Sequence, residues 1–220
     1  MEKASGEFVG GKYIRPDPNT ARLFFAPTGR GLRGGQGYFS DAELFFPYFA
    51  IGLTDFLSIG GGISLFPGAS SQLFYVSPKV SYTIPESEVS ISGGAFYTNI
   101  IDVGESGGGG AGFLYGVASV GSTKGSVTFG IGKGFANGEF ADSPVFVLGG
   151  EIQASNSVKF ITENWILPGS DVDLLSFGVR FFGDHLSADF AFLYPLSEEN
   201  GRVEGFPFFP WLSFSYAFGG

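Results

Sequence analysis

Side chains alternate in character with a period of two through most of this 220-residue chain. Successive side chains of a strand point to opposite faces, so the alternation describes strands with two unlike sides. Leu175, Phe177, Val179 and Phe181 alternate with Ser176, Gly178 and Arg180, and Leu212, Phe214, Tyr216 and Phe218 alternate with Ser213, Ser215 and Ala217. Val80 and Tyr82 alternate with Lys79, Ser81 and Thr83 in the same way. Glycine, the weakest helix former after proline, occurs 37 times; phenylalanine, which favours strands, occurs 27 times. The pattern predicts an all-β chain with strands near 20–28, 38–53, 56–66, 73–84, 88–101, 111–122, 126–135, 144–155, 158–167, 173–183, 186–195 and 207–218.

The chemistry of the two faces decides what the strands build. A soluble antiparallel sheet packs its apolar face on a core and turns a polar face to water. Here the polar face is mostly Gly, Ser and Ala, the apolar face is aromatic, and only 15% of residues are charged. The inverse arrangement fits: large apolar side chains toward lipid, small ones toward a lumen. Strands satisfy all their backbone groups in a bilayer only by closing into a barrel. The connections agree, because five tight ones (54–55, 85–87, 123–125, 156–157 and 184–185) alternate with six longer, polar ones. The expected fold is a closed antiparallel up-and-down transmembrane β-barrel of about 12 strands. It has short periplasmic turns, longer outer loops and both termini at the short-turn end. Residues 1–19 are expected to form an extended N-terminal arm and 20–218 a single barrel domain. The competing expectation is a soluble β-barrel that holds an apolar ligand inside.

The formal charge of −9 belongs to the loops and turns. Within the expected strands the signs balance: Asp41, Glu43, Glu151, Glu163 and Asp189 against Arg22, Lys79, Lys133, Lys159 and Arg180. A charge facing lipid near the bilayer centre costs about 2–4 kcal/mol, so wall charges should point inward. Arg22, Glu43, Lys79, Glu151, Glu163, Arg180 and Asp189 are the expected lumen-lining set. They either pair and rigidify the lumen or form a constriction. Aromatic residues near strand ends mark the expected membrane girdles: Phe45, Phe46, Phe74, Trp165, Phe209, Trp211, Tyr216 and Phe218.

Several chemistries are excluded or weak. The chain has no cysteine and one histidine, so thiolate chemistry and polyhistidine metal sites are out. No metal or other cofactor is expected. Net negative charge argues against nucleic acid as a partner. His185 and Ser187 form an H-x-S spacing found in membrane lipid hydrolases, but His185 falls in a tight turn, and a solvated turn histidine is the plainer interpretation. Gly60-Gly61-Gly62 lies inside a strand with no lysine or helix behind it, unlike a phosphate loop. Gly107–Gly110 is expected to be a mobile loop. Ser197-Glu198-Glu199-Asn200, and Asp171 with Asp173, could offer oxygen ligands to calcium but are more simply solvated loops. The N-terminus has no apolar core, so a mature chain without its signal peptide is expected.

The segment WLSFSYAF (211–218) resembles the terminal strand by which outer-membrane barrels are recognised for assembly, except that two glycines follow Phe218. ARLFFAPTGRGLRGGQGYF (21–39), IGLTDFLSIGGGI (51–63) and ITENWIL (161–167) resemble an uncharacterised outer-membrane β-barrel family of Bacteroidetes-type bacteria. The resemblance implies a bacterial outer-membrane location, the lipid bilayer and the barrel-assembly machinery as partners, and no catalytic residues. A monomeric, non-enzymatic barrel is expected. It would act as a narrow passive pore for small polar solutes or as a structural barrel.

Overall fold

A computed structural model describes residues 7–9, 12–102, 109–197 and 208–219. A short hairpin near the N-terminus pairs β1 (Glu7–Val9) with β2 (Lys12–Ile14). The strands that follow are β3 (Gly37–Ala42), β4 (Phe46–Gly52), β5 (Leu57–Ile63), β6 (Ser71–Thr83) and β7 (Val89–Asp102). After them come β8 (Ala111–Ser122), β9 (Gly125–Ala136), β10 (Glu139–Phe140), β11 (Val145–Ser155) and β12 (Val158–Ile166). The chain ends with β13 (Val172–Phe182), β14 (Leu186–Ser197) and β15 (Phe209–Phe218).

Each wall strand pairs antiparallel with its neighbours in sequence, and β15 returns to pair with β3. The ring is therefore closed. Among the described residues it contains twelve wall strands, with β10 as a two-residue addition on the end of β9. The backbone pairing leaves the wall no free edge, which is what a strand structure in lipid requires.

Burial follows the alternation. Along β13, Leu175, Phe177 and Phe181 are exposed outside, while Ser176 and Arg180 are buried inside. The same outward band runs through Val80, Tyr82, Val127, Phe129, Phe160 and Phe214. In water so much exposed apolar surface marks an interaction site; around a closed barrel it is a lipid-facing belt.

Two local assignments differ from the sequence expectation, and they compensate in the strand count. Residues 20–28 form no wall strand: they fold back inside the barrel as a small hairpin, with Arg22 bridging Pro27. Residues 38–53 are two strands, β3 and β4, separated by a tight turn at 43–45. That turn places Glu43 (φ 53°) and Leu44 (φ 64°) in the left-handed region without glycine, so it carries no ordinary turn signal. The other connections keep the alternation of short and long. The Gly107–Gly110 loop and the Ser197–Asn200 segment fall largely outside the described residues.

Candidate functional site: a divided lumen

Residues 15–36 run through the barrel interior at its short-turn end, and their contacts explain the buried wall charges. Asp17 accepts from Lys159 at 2.9 Å and from Arg180 at 3.1 Å. Arg22 meets Asp189 at 3.2 Å and Ser215 at 2.7 Å. Arg30 reaches Glu151 at 2.9 Å and the carbonyls of Gly121 and Ser122 at 2.8 Å each. Lys159 also pairs with Glu151 at 3.0 Å. Lys79 donates to the carbonyls of Ala21 (3.1 Å) and Arg30 (2.5 Å). Asn19 donates its amide to Ser187 at 2.8 Å. The network thus ties the inner segment to strands around much of the ring.

The inner hairpin is held at its tip by one carboxylate. Glu163 Oε2 accepts the backbone N–H groups of Phe24 (2.9 Å), Phe25 (3.0 Å) and Ala26 (3.0 Å). Its other oxygen accepts the indole N–H of Trp165 at 2.8 Å. A buried carboxylate without a cation is tolerable when several donors surround it. Further along, Gly29 passes so close to the wall that an added Cβ would lie 2.0 Å from the Ser90 carbonyl oxygen.

Asp17 belongs to this inner segment and not to a wall strand. Burial alone would raise its carboxyl, but the positive charges of Arg180 and Lys159 outweigh that and lower it from 3.8 to about 2. It is therefore ionised in the folded protein across the ordinary pH range.

The opposite side of the lumen is aromatic. Inward-facing rings follow one another around the wall: Tyr38 to Tyr48 (6.0 Å between centroids), Tyr48 to Tyr75 (6.3 Å), Tyr75 to Phe96 (6.2 Å) and Phe96 to Phe113 (5.5 Å). Glycines on adjacent strands make the room. A Cβ on Gly60 would lie 2.0 Å from the Tyr48 hydroxyl, and one on Gly94 would lie 2.5 Å from that of Tyr115. These rings border a cavity of about 390 Å³, whose floor includes Arg22 and Lys79. A second cavity of about 320 Å³ lies between Phe24, Phe25, Trp165 and Trp211.

Among the expected lumen charges, Lys79, Glu151, Glu163, Arg180 and Asp189 are buried on wall strands. Arg22 is buried inside as well, but on the inner hairpin rather than on a wall strand. Glu43 is a correction. It sits in the β3–β4 turn and accepts the backbone N–H of Leu212 at 2.7 Å, because the turn ends the strand before it. Arg30, buried in the network, was missed because Gly-rich 29–37 reads as a loop.

Of the expected girdle residues, Phe45, Phe74, Phe209 and Tyr216 are exposed. Phe218 lies against the exposed Phe49 with rings stacked at 5.7 Å. Three others do not belong to a girdle. Trp165 packs inside on Phe25 and Phe113, Trp211 packs on the buried cluster of Leu23, Phe24, Ile161 and Ala191, and Phe46 lines the cavity. Strand parity places them there: Trp165 follows buried Glu163, and Trp211 precedes buried Ser213.

His185 and Ser187 serve different partners. The exposed His185 ring lies 3.2 Å from the Ala217 carbonyl oxygen, while Ser187 is buried and takes the Asn19 amide. No group of three His, Cys, Asp or Glu among the described residues is placed to hold a metal ion.

No family model matches the chain, and no curated protein matches its sequence. Solved structures do match its fold. The KdgM porin aligns with a TM-score of 0.58 at 9% identity, covering 84% of this chain and 98% of its own. The KdgM porin in complex with disordered oligogalacturonate aligns with the same values. The outer membrane protein Omp33 of Acinetobacter baumannii aligns with a TM-score of 0.45 at 8% identity, covering 83% of this chain and 95% of its own.

Proposed function

We propose that this chain is a bacterial outer-membrane barrel that works as a narrow passive pore for small solutes. The observation that carries this is a closed wall, apolar outside, around a lumen that the inner segment fills only in part. The fold shared with the KdgM porin supports it, as does the resemblance of 21–39, 51–63 and 161–167 to Bacteroidetes-type barrels. Closure within one chain supports a monomer. A final strand ending in the alternating Phe214, Tyr216 and Phe218 supports recognition by the barrel-assembly machinery.

The lumen charges bear on the solute. Arg22, Arg30, Lys159 and Arg180 each have a carboxylate partner within 3.2 Å. A polyanionic sugar chain, such as the oligogalacturonate named with the KdgM porin, would find these four cations already paired. Small uncharged solutes fit this lumen better. The acidic loops would still raise the local cation concentration at the outer mouth, an effect that salt screens.

The dense bonding of residues 15–36 favours a second reading, a structural barrel closed at its short-turn end. Planar-bilayer recording of the purified protein separates the two. Discrete, weakly ion-selective conductance steps are expected for the pore. Their absence at every voltage overturns the pore and leaves the structural barrel.

A further inference from the structure

The larger cavity has a chemistry of its own, distinct from the ion-pair network beneath it. Its aromatic wall is a set of rings in succession, with interplanar angles of 11° for Tyr48–Tyr75, 17° for Tyr75–Phe96 and 20° for Phe96–Phe113. Phe25, from the inner hairpin, meets Phe96 edge-on at 5.9 Å. The volume of about 390 Å³ is at the lower end for small-molecule sites.

Several polar groups around it are already engaged, while among the described residues the Trp211 indole N–H and Arg22 Nε are buried without a hydrogen-bond partner. Tyr75 donates its hydroxyl to the Pro47 carbonyl. Thr98 donates to the Phe74 carbonyl at 2.9 Å. At the floor, Lys79 is held by two carbonyls, and Arg22 by Asp189 and Ser215. A sugar would have to strip the Tyr75 and Thr98 hydroxyls from their partners, and an ion would have to open the network. Flat, uncharged rings lose nothing of the kind, and aromatic faces reward them with offset or edge-to-face packing.

We propose that this aromatic-walled cavity is a binding site for small neutral aromatic compounds, and that they are the solutes the barrel admits. The proposal rests on the pore reading for the second clause only. The site itself requires the cavity alone.

The test uses nitrobenzene as probe and intrinsic fluorescence as readout. The chain has 2 tryptophans, and both, Trp165 and Trp211, border the cavities. Nitrobenzene titrated into the full chain in detergent micelles is expected to quench saturably, beyond the linear quenching of a free tryptophan derivative in the same micelles. Thr98→Phe projects a ring into the cavity and is expected to weaken binding about tenfold or more. Ala42→Phe, in the same lining, serves if Thr98→Phe does not fold. Benzoate and galactose are expected not to compete. Linear quenching that is the same in wild type and variants overturns the site, and competition by benzoate equal to nitrobenzene overturns its neutral class. Conductance without saturable quenching overturns the site and leaves the pore. Saturable quenching without conductance keeps the site and removes the pore.

Discussion

Arg180 and Asp189 face each other in register across β13 and β14, joined from Nε to Oδ1 at 2.6 Å and from Nη2 to Oδ2 at 3.2 Å. The pair is buried and two-pronged, and Arg180 also holds Asp17 of the inner segment. Removing one partner of such a pair leaves an uncompensated buried charge. Arg180→Ala is therefore expected to cost about 3–5 kcal/mol, measured by urea unfolding from lipid vesicles. The double variant Arg180→Ala/Asp189→Ala should cost less than the sum of the two single changes, because the residues share one network.

The inner segment should govern passage through the barrel. Gly29→Val presses a side chain into the Ser90 carbonyl, where a Cβ has only 2.0 Å. Glu163→Ala removes the acceptor of three backbone N–H groups and one indole N–H. Both variants should loosen the segment. Larger or noisier single-channel conductance is expected, with a stability loss of about 1–3 kcal/mol for Glu163→Ala. Conductance and noise unchanged in both would separate the segment from any gating role.

Seating of this segment should depend on acid pH through Asp17. Its carboxyl lies at about 2 in the folded protein against an ordinary value of 3.8. A lowered folded value means the contribution is complete above the unfolded value and is lost as pH falls through the folded one. The shift corresponds to about 2 kcal/mol, present above pH ~4 and lost between there and pH ~2. Asp17→Asn should flatten that part of the stability–pH curve, followed through the emission of Trp165 and Trp211.

The outward face should tolerate charge poorly. Phe177, at 53% exposure, projects from the middle of β13 beside buried Ser176. If it faces lipid near mid-membrane, Phe177→Arg costs about 2–4 kcal/mol in vesicle-folding titrations. An equal free energy for variant and wild type would place that surface in water.

Much of the barrel was legible because an alternating strand shows its two environments directly in its residue types. The five tight turns and the inward parity of Lys79, Glu151, Glu163, Arg180 and Asp189 follow from that pattern alone. The first forty or so residues were less readable. The run Arg22–Pro27 looks like a strand because an apolar hairpin buried inside a barrel has the same composition as one side of its wall. The β3–β4 turn was hidden because Glu43 and Leu44 adopt left-handed backbone without a glycine. Position near strand ends makes Trp165 and Trp211 resemble girdle residues. Proximity to an end does not settle which face a side chain occupies; the parity set by Glu163 and Ser213 does.

From sequence come the strand class, the closure and the sorting of large side chains outward, since a bilayer and a two-residue period leave few other solutions. The division of the lumen into a charged side gripping residues 15–36 and an aromatic side around a cavity is a different matter. It depends on which strands become neighbours when β15 meets β3, and on an inner segment whose partners lie as many as 193 positions away, as Ser215 does from Arg22. Such contacts join residues through the closed ring, and local pattern carries no record of that geometry.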